Sequence, residues 1–135
     1  MDSNYGRVKK VEPREGYDDI FIHGDKDGFA YKDLDGNESN VSPLELINLL
    51  NQYGSFEQDK IRLCACNAGA EGGMAAQSIA NLTGKEVIAP NKTLWILPPN
   101  DEGICDMIIA GEDENGDMNP DDPGDWVTFY PRRRE

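Results

Sequence analysis

The stretch Lys60-Ile-Arg-Leu-Cys-Ala-Cys-Asn-Ala-Gly69 decides how this chain is read. It is a short apolar run that passes straight into a cysteine and a glycine-containing turn, as a buried strand leaving a sheet does. Upstream, Asp18-Asp-Ile-Phe-Ile-His-Gly24 has the same form: an apolar run, then the only histidine of the chain, then glycine. Laid side by side as parallel neighbours, the two runs bring His23 and Cys66 out together at the carboxyl edge of the sheet. That edge is where open parallel sheets form their sites.

The elements between and after these runs follow from local signals. Asp25-Lys-Asp-Gly28 turns the chain, residues 29–31 read as a short return strand, and Asp33-Leu-Asp-Gly36 turns it again by hairpin chemistry. A helix is expected over residues 42–53. Ser42 stands at its N-cap, Pro43 at its first position and Glu45 three residues after the cap, and Gly54 closes it. Leu46, Ile47, Leu49, Leu50 and Tyr53 supply its apolar stripe. Residues 61–65 form the next strand, residues 73–83 a second helix stopped by Gly84, and residues 86–89 a third strand closed by Pro90. Strand, helix, strand, helix, strand predicts an α/β fold with a mostly parallel sheet and helices packed on it. After Pro90 the helices cease. Residues 93–97, 104–110 and 126–130 read as antiparallel additions at one edge of that sheet, with an acidic loop over 111–125.

The totals bound the function. One domain is expected, with a polar and disordered lead-in over 1–17, the folded unit over 18–131 and a basic tail over 132–135. An apolar content of 38% and a formal charge of -13 predict a modest core and a strongly anionic surface. Such a surface argues against nucleic acid or an anionic membrane as partner, because both are bound through basic patches. No stretch approaches the roughly 18 apolar residues of a membrane span, and the N-terminus lacks the apolar core of a signal peptide. Three cysteines, two of them at 64 and 66, predict reduced thiols rather than a disulfide framework, and with one histidine they make no zinc site.

His23 and Cys66 carry the chemistry. A nucleophilic thiol needs an imidazole beside it and donors for the oxyanion that forms on attack. Gly24 brings a backbone N–H close without a side chain in the way, and the N–H of Cys66 is a second donor. Taken singly, a histidine at a strand end or a cysteine on a buried strand is ordinary packing, but both here end apolar runs and lie near turn glycines. Cys64, inside its strand, reads as core.

An apolar block ending in His-Gly, followed by one ending in Ala-Cys, resembles the caspase-like (clan CD) cysteine peptidases: caspases, legumain, gingipains, clostripain and the self-cleaving domains of large bacterial toxins. "DDIFIHG" and "IRLCAC" carry that resemblance. "CNAG", "GGMAAQSIANLTGKEVIAP", "KTLWIL" and "DWVTFYP" extend it over about residues 18–131, toward the short modules of bacterial polymorphic toxins and secreted effectors. The resemblance implies a cysteine endopeptidase with Cys66 as nucleophile, His23 as its base or imidazolium partner, and Gly24 and the Cys66 N–H as oxyanion donors. It implies a protein or peptide substrate, an immunity or inhibitor protein as partner and no cofactor. It further implies a bacterial protein made in the cytoplasm and delivered to target cells as part of a larger secreted one. For a basic substrate side chain, Asp25, Asp27 and Glu71 are the acidic candidates, with solvated turns as the plainer reading.

Two other functions stay open. A catalytically inactive interaction domain would keep the scaffold without the chemistry. A calcium-binding module would use Asp113, Asn115, Asp117, Asn119 and Asp121, whose oxygens alternate as calcium-loop ligands do. Met118 and Gly124 stand where an EF-hand needs glycine and glutamate, so a polar turn-rich loop is the simpler account.

Overall fold

The computed structural model describes residues 11–12, 14–32, 35, 37–52 and 56–132. Its centre is a four-stranded sheet of β1 (Tyr17–Phe21), β5 (Lys60–Cys64), β6 (Glu86–Pro90) and β10 (Trp126–Phe129), in the order β1-β5-β6-β10. β1, β5 and β6 run parallel and β10 closes the far edge antiparallel. Two helices, α1 (Pro43–Gln52) and α2 (Ala75–Thr83), pack against each other, and α2 lies on β6 and β10. The fold is mixed α/β with a mostly parallel central sheet, as the alternation of elements predicts.

Period-two alternation assigns the faces of the central sheet. Ile61, Leu63, Val87 and Ala89 are fully buried and join Leu46 and Ile47 of α1 and Ala75, Ala76, Ile79 and Ala80 of α2 in one core. The intervening residues Arg62, Cys64 and Ile88 are also buried, yet stand outside that core. They face the opposite side of the sheet. Alanines on α2 let the helix lie close on the strands.

Local chemistry explains the helix limits. The Glu45 N–H donates to Ser42 Oγ at 3.2 Å, which is the expected cap of α1. Tyr53 and Gly54, the expected end of that helix, lie outside the described residues. α2 starts at Ala75 rather than 73. The N–H groups of Met74 and Ala75 both donate to the Lys26 carbonyl, so its first turn is capped by the 25–28 turn, not by its own sequence. Gly84 ends α2 as expected, with φ 69° and its N–H on Ala80 O at 2.9 Å.

Three expectations are corrected. The strand expected over 18–23 divides after Phe21. His23 and Gly24 form β2, which pairs with β3 (Phe29–Lys32) and through it with β4 (Glu38–Val41) in a separate antiparallel sheet. The tight 25–28 turn folds the chain back before the parallel pairing can continue. Of the expected turn over 33–36, only Asp35 lies within the described residues.

The second correction concerns the C-terminal third. Only β10 joins the central sheet. β7 (Thr93–Ile96) and β8 (Met107–Glu112) form a third sheet with β9 (Met118–Pro123). Third, the acidic loop over 111–125 is largely strand. Pro120 and Pro123 read as loop formers, but β9 is an edge strand, where proline removes no ladder hydrogen bond.

Candidate functional site

The β1–β5 register ends two residues short of both sequence-selected residues. Phe21 stands opposite Cys64, and the Ile22 N–H donates to Cys64 O at 3.4 Å. Two residues further along each parallel chain come His23 and Cys66. Both lie beyond the last β1–β5 pair, His23 exposed and at the start of β2, Cys66 half-buried. Gly24 lies against the residue before Cys66: a Cβ at position 24 would stand 2.8 Å from Ala65 Cβ. A side chain there would wedge the two chains apart.

Backbone pairing orients Gly24. The Asp25 N–H donates to Gly28 O at 3.0 Å, which makes that pair a hydrogen-bonded position of the β2–β3 ladder. Antiparallel positions alternate, so Gly24, opposite Phe29, is a non-hydrogen-bonded position. Its N–H therefore turns away from β3.

The segment after Cys66 is fastened on both flanks. Asn67 adopts φ 59°, the only described non-glycine residue in the left-handed region. Its N–H donates to Lys92 O at 3.0 Å, and the Gly69 N–H donates to Pro90 O at 2.9 Å. Gly69 is required here, since a Cβ would meet Ala89 O at 2.6 Å. On the other flank Gly73 abuts Lys26 O, where a Cβ would sit at 2.3 Å. The loop is thus pressed between the 25–28 turn and the β6–β7 connection. The sulfur is held too: the Leu94 N–H donates to Cys66 Sγ at 3.3 Å, and the thiol lies 3.9 Å from Leu94 O.

Cys64 is a different thiol. It is buried, and burial first of all pushes it up to about 12, against an opposing effect of Arg62. It stays protonated and inert at neutral pH, as expected for a core cysteine. Cys64, Cys66 and Cys105 are all free thiols.

Of the remaining candidates, Asp25, Asp113 and Asn119 have structural employment. Asp25 Oδ1 accepts from the Asp27 and Gly28 N–H groups at 2.8 and 2.9 Å, holding the turn beneath Gly73, while Asp27 and Glu71 are exposed. In the acidic segment, Asp113 Oδ1 accepts from the Asn115 and Asp117 N–H groups at 2.8 and 3.0 Å, and Asn119 Oδ1 from Asp121 at 3.0 Å. Two of the five calcium candidates therefore brace their own backbone at the β8–β9 tip and along β9. Among the described residues no group of three or more His, Cys, Asp or Glu side chains is gathered to hold a metal. Likewise among them, no helix is long and apolar enough to cross a membrane.

Sequence reasoning missed two parts of this region. The Leu94 N–H at Cys66 depends on a contact between segments 28 residues apart, which no local pattern reports. The left-handed Asn67 was legible, because asparagine is the residue that most readily adopts that conformation after glycine.

A family model for a domain of unknown function, DUF8616, matches residues 1–120. No curated protein and no solved structure matches the chain.

Proposed function

Because the chain belongs to the DUF8616 family, which is described without an activity, its function must be read from its own site, and we propose a cysteine endopeptidase-like module of the caspase-like type. The observation that supports this reading is the parallel β1–β5 pairing, whose last pair, Phe21 and Cys64, lies two residues before His23 and Cys66. In the proposed reaction the Cys66 thiolate attacks a peptide carbonyl, forming a C–S bond and an oxyanion. Gly24 and Cys66 N–H groups are the donors proposed for that oxyanion. Collapse breaks the C–N bond, and His23 delivers a proton to the leaving amine. Water then cleaves the thioester, returning the thiol and releasing the carboxylic acid.

The setting proposed with this activity is a bacterial toxin or effector delivered within a larger secreted protein. Its partners would be a peptide substrate and an inhibitor or immunity protein.

A second reading has its own observation. Cys66 Sγ already receives the Leu94 N–H, which suits a thiol that fastens β7 to the loop in a catalytically inactive interaction domain. One experiment separates the two. Wild type and Cys66→Ala are expressed in a bacterial host, with growth and new cleavage products of the proteome as readouts. A peptidase gives toxicity and cleavage that both disappear in Cys66→Ala. Equal behaviour of the two proteins, with the variant still folded, overturns the peptidase and leaves the interaction domain.

A further inference from the structure

The third sheet, β7 to β9, has two faces of different character, and strand period sorts its residues between them. Ile109 is buried, and a Cβ on Gly124 would meet its side chain at 2.5 Å. A Cβ on Gly111 would collide with the Asp122 carboxylate. Ile109, Gly111 and Asp122 therefore share the covered face. Their strand neighbours Ile108, Glu112 and Asp121 stand on the other face, and all three are exposed, Ile108 to 39%. Trp95 lies opposite Ile108 on β7, and Pro123 lies opposite Ala110 on β9. The Trp95 indole N–H donates to Ala110 O at 3.0 Å, which fixes a half-buried ring beside the exposed Ile108.

Charge decides what could cover this outer face. Residues 93–131 include ten acidic side chains and no lysine, arginine or histidine. Lys92, just before them, is ion-paired with Asp122 on the covered face. The sheet therefore presents apolar ground at Trp95, Ile108 and Pro123 within a strongly anionic field. Nucleic acid and anionic lipid are repelled by such a field. A small inorganic cation would leave Trp95 and Ile108 uncovered. From Ile108 to Glu112 the strand advances about 13 Å, at roughly 3.3 Å per residue. An occupant must therefore carry an apolar side chain and, several residues away from it, cations. That is the chemistry of a basic polypeptide, with an apolar centre and a charged rim as in other protein interfaces.

We propose that the outer face of the third sheet docks a cationic polypeptide segment. An apolar side chain of the partner covers Trp95 and Ile108, and its lysines or arginines meet Glu112, Asp121 and the acidic tip between β8 and β9. That tip adds the exposed Asp113, Glu114 and Asp117. This surface goes beyond the proposed peptidase and uses none of its residues.

The test is fluorescence-anisotropy titration of the full chain with the dye-labelled peptides KRKFLKRK, KRKSGKRK and EDEFLEDE, with the Trp95 indole N–H followed by NMR and each probe checked for integrity by mass spectrometry. KRKFLKRK is expected to bind saturably, to shift that resonance and to weaken as salt is raised. Loss of the apolar pair in KRKSGKRK should weaken binding at least about tenfold. Ile108→Ser, and separately Glu112→Gln with Asp121→Asn, should each weaken KRKFLKRK by a similar factor while leaving the melting temperature near wild type, since all three positions are exposed. Glu57→Gln with Asp59→Asn removes the same charge from exposed positions elsewhere and should leave binding within about twofold. Absence of saturable KRKFLKRK binding, comparable binding of either other peptide, or an equal loss in the Glu57 and Asp59 variant overturns the proposal. None of these results depends on Cys66 being catalytic.

Discussion

At the scale of single residues, two cysteines two positions apart have opposite fates because one last turn of the chain separates them. Cys64 still belongs to β5 and is packed, while Cys66 lies past the strand end, half in solvent. The difference has a pH signature. The Cys64 thiol is pushed up to about 12 in the fold, above the roughly 8.5 of an unfolded thiol. The folded chain therefore keeps a proton that the unfolded chain loses. Below about pH 8.5 the contribution is fully present; between the two values it declines by about 1.4 kcal/mol per pH unit, and it is gone above the folded value. Urea unfolding of wild type from pH 8 to 11 should show this fall, and Cys64→Ala should show a shallower one. Identical slopes would mean that Cys64 is not protected by burial.

At the scale of elements, the loop after Cys66 illustrates how a turn is built from residues that individually look unremarkable. Gly69 and Gly73 admit neighbouring backbone, and Asn67 supplies the left-handed step that bends the chain away from β5. A β-branched side chain in that conformation costs about 1–2 kcal/mol, whereas glycine adopts it freely. Asn67→Val should thus lower stability by about that amount, and Asn67→Gly should leave it nearly unchanged, as measured by the urea midpoint. If the peptidase reading holds, Asn67→Val should also slow labelling of Cys66 by iodoacetamide relative to Asn67→Gly, since the turn sets the thiol's direction. The helices obeyed their local signals at Ser42 and Gly84. The start of α2 did not, because the acceptor that caps it comes from the 25–28 turn.

At the scale of the whole molecule, Asp19 and Arg62 fasten β1 to β5 on the face that the helices leave uncovered. Both partners are mostly withdrawn from water, with side chains 16% and 9% exposed. Removing one leaves the other charge buried and unpaired, at a cost of about 3–5 kcal/mol. Asp19→Asn should lower the melting temperature sharply. Replacing both, as Asp19→Val with Arg62→Met, should recover most of the loss, because two apolar side chains need no partner. A mild effect of Asp19→Asn would show the pair to be better solvated than its packing implies. The same pair stands within the β1–β5 register, three residues before the last pair's successors Ile22 and Ala65.

What the sequence determined by itself was local in origin. Apolar period and caps specified α1, α2 and the three parallel strands, and the two apolar runs ending in His23 and Cys66 selected the site residues. The parallel pairing of those two runs also follows from sequence, once they are taken as neighbours. What only the tertiary structure decided was everything that depends on distant partners. β2 leaves the central sheet for β3 because the 25–28 turn returns it there. The residues 111–125 become strand because β8 offers a ladder to a proline-bearing edge. Leu94 reaches Cys66, and Arg62 finds Asp19, across separations that local pattern does not encode. Hydrogen-bond donors and buried charges are satisfied wherever the folded chain brings an acceptor, and that is a property of packing rather than of neighbouring residues.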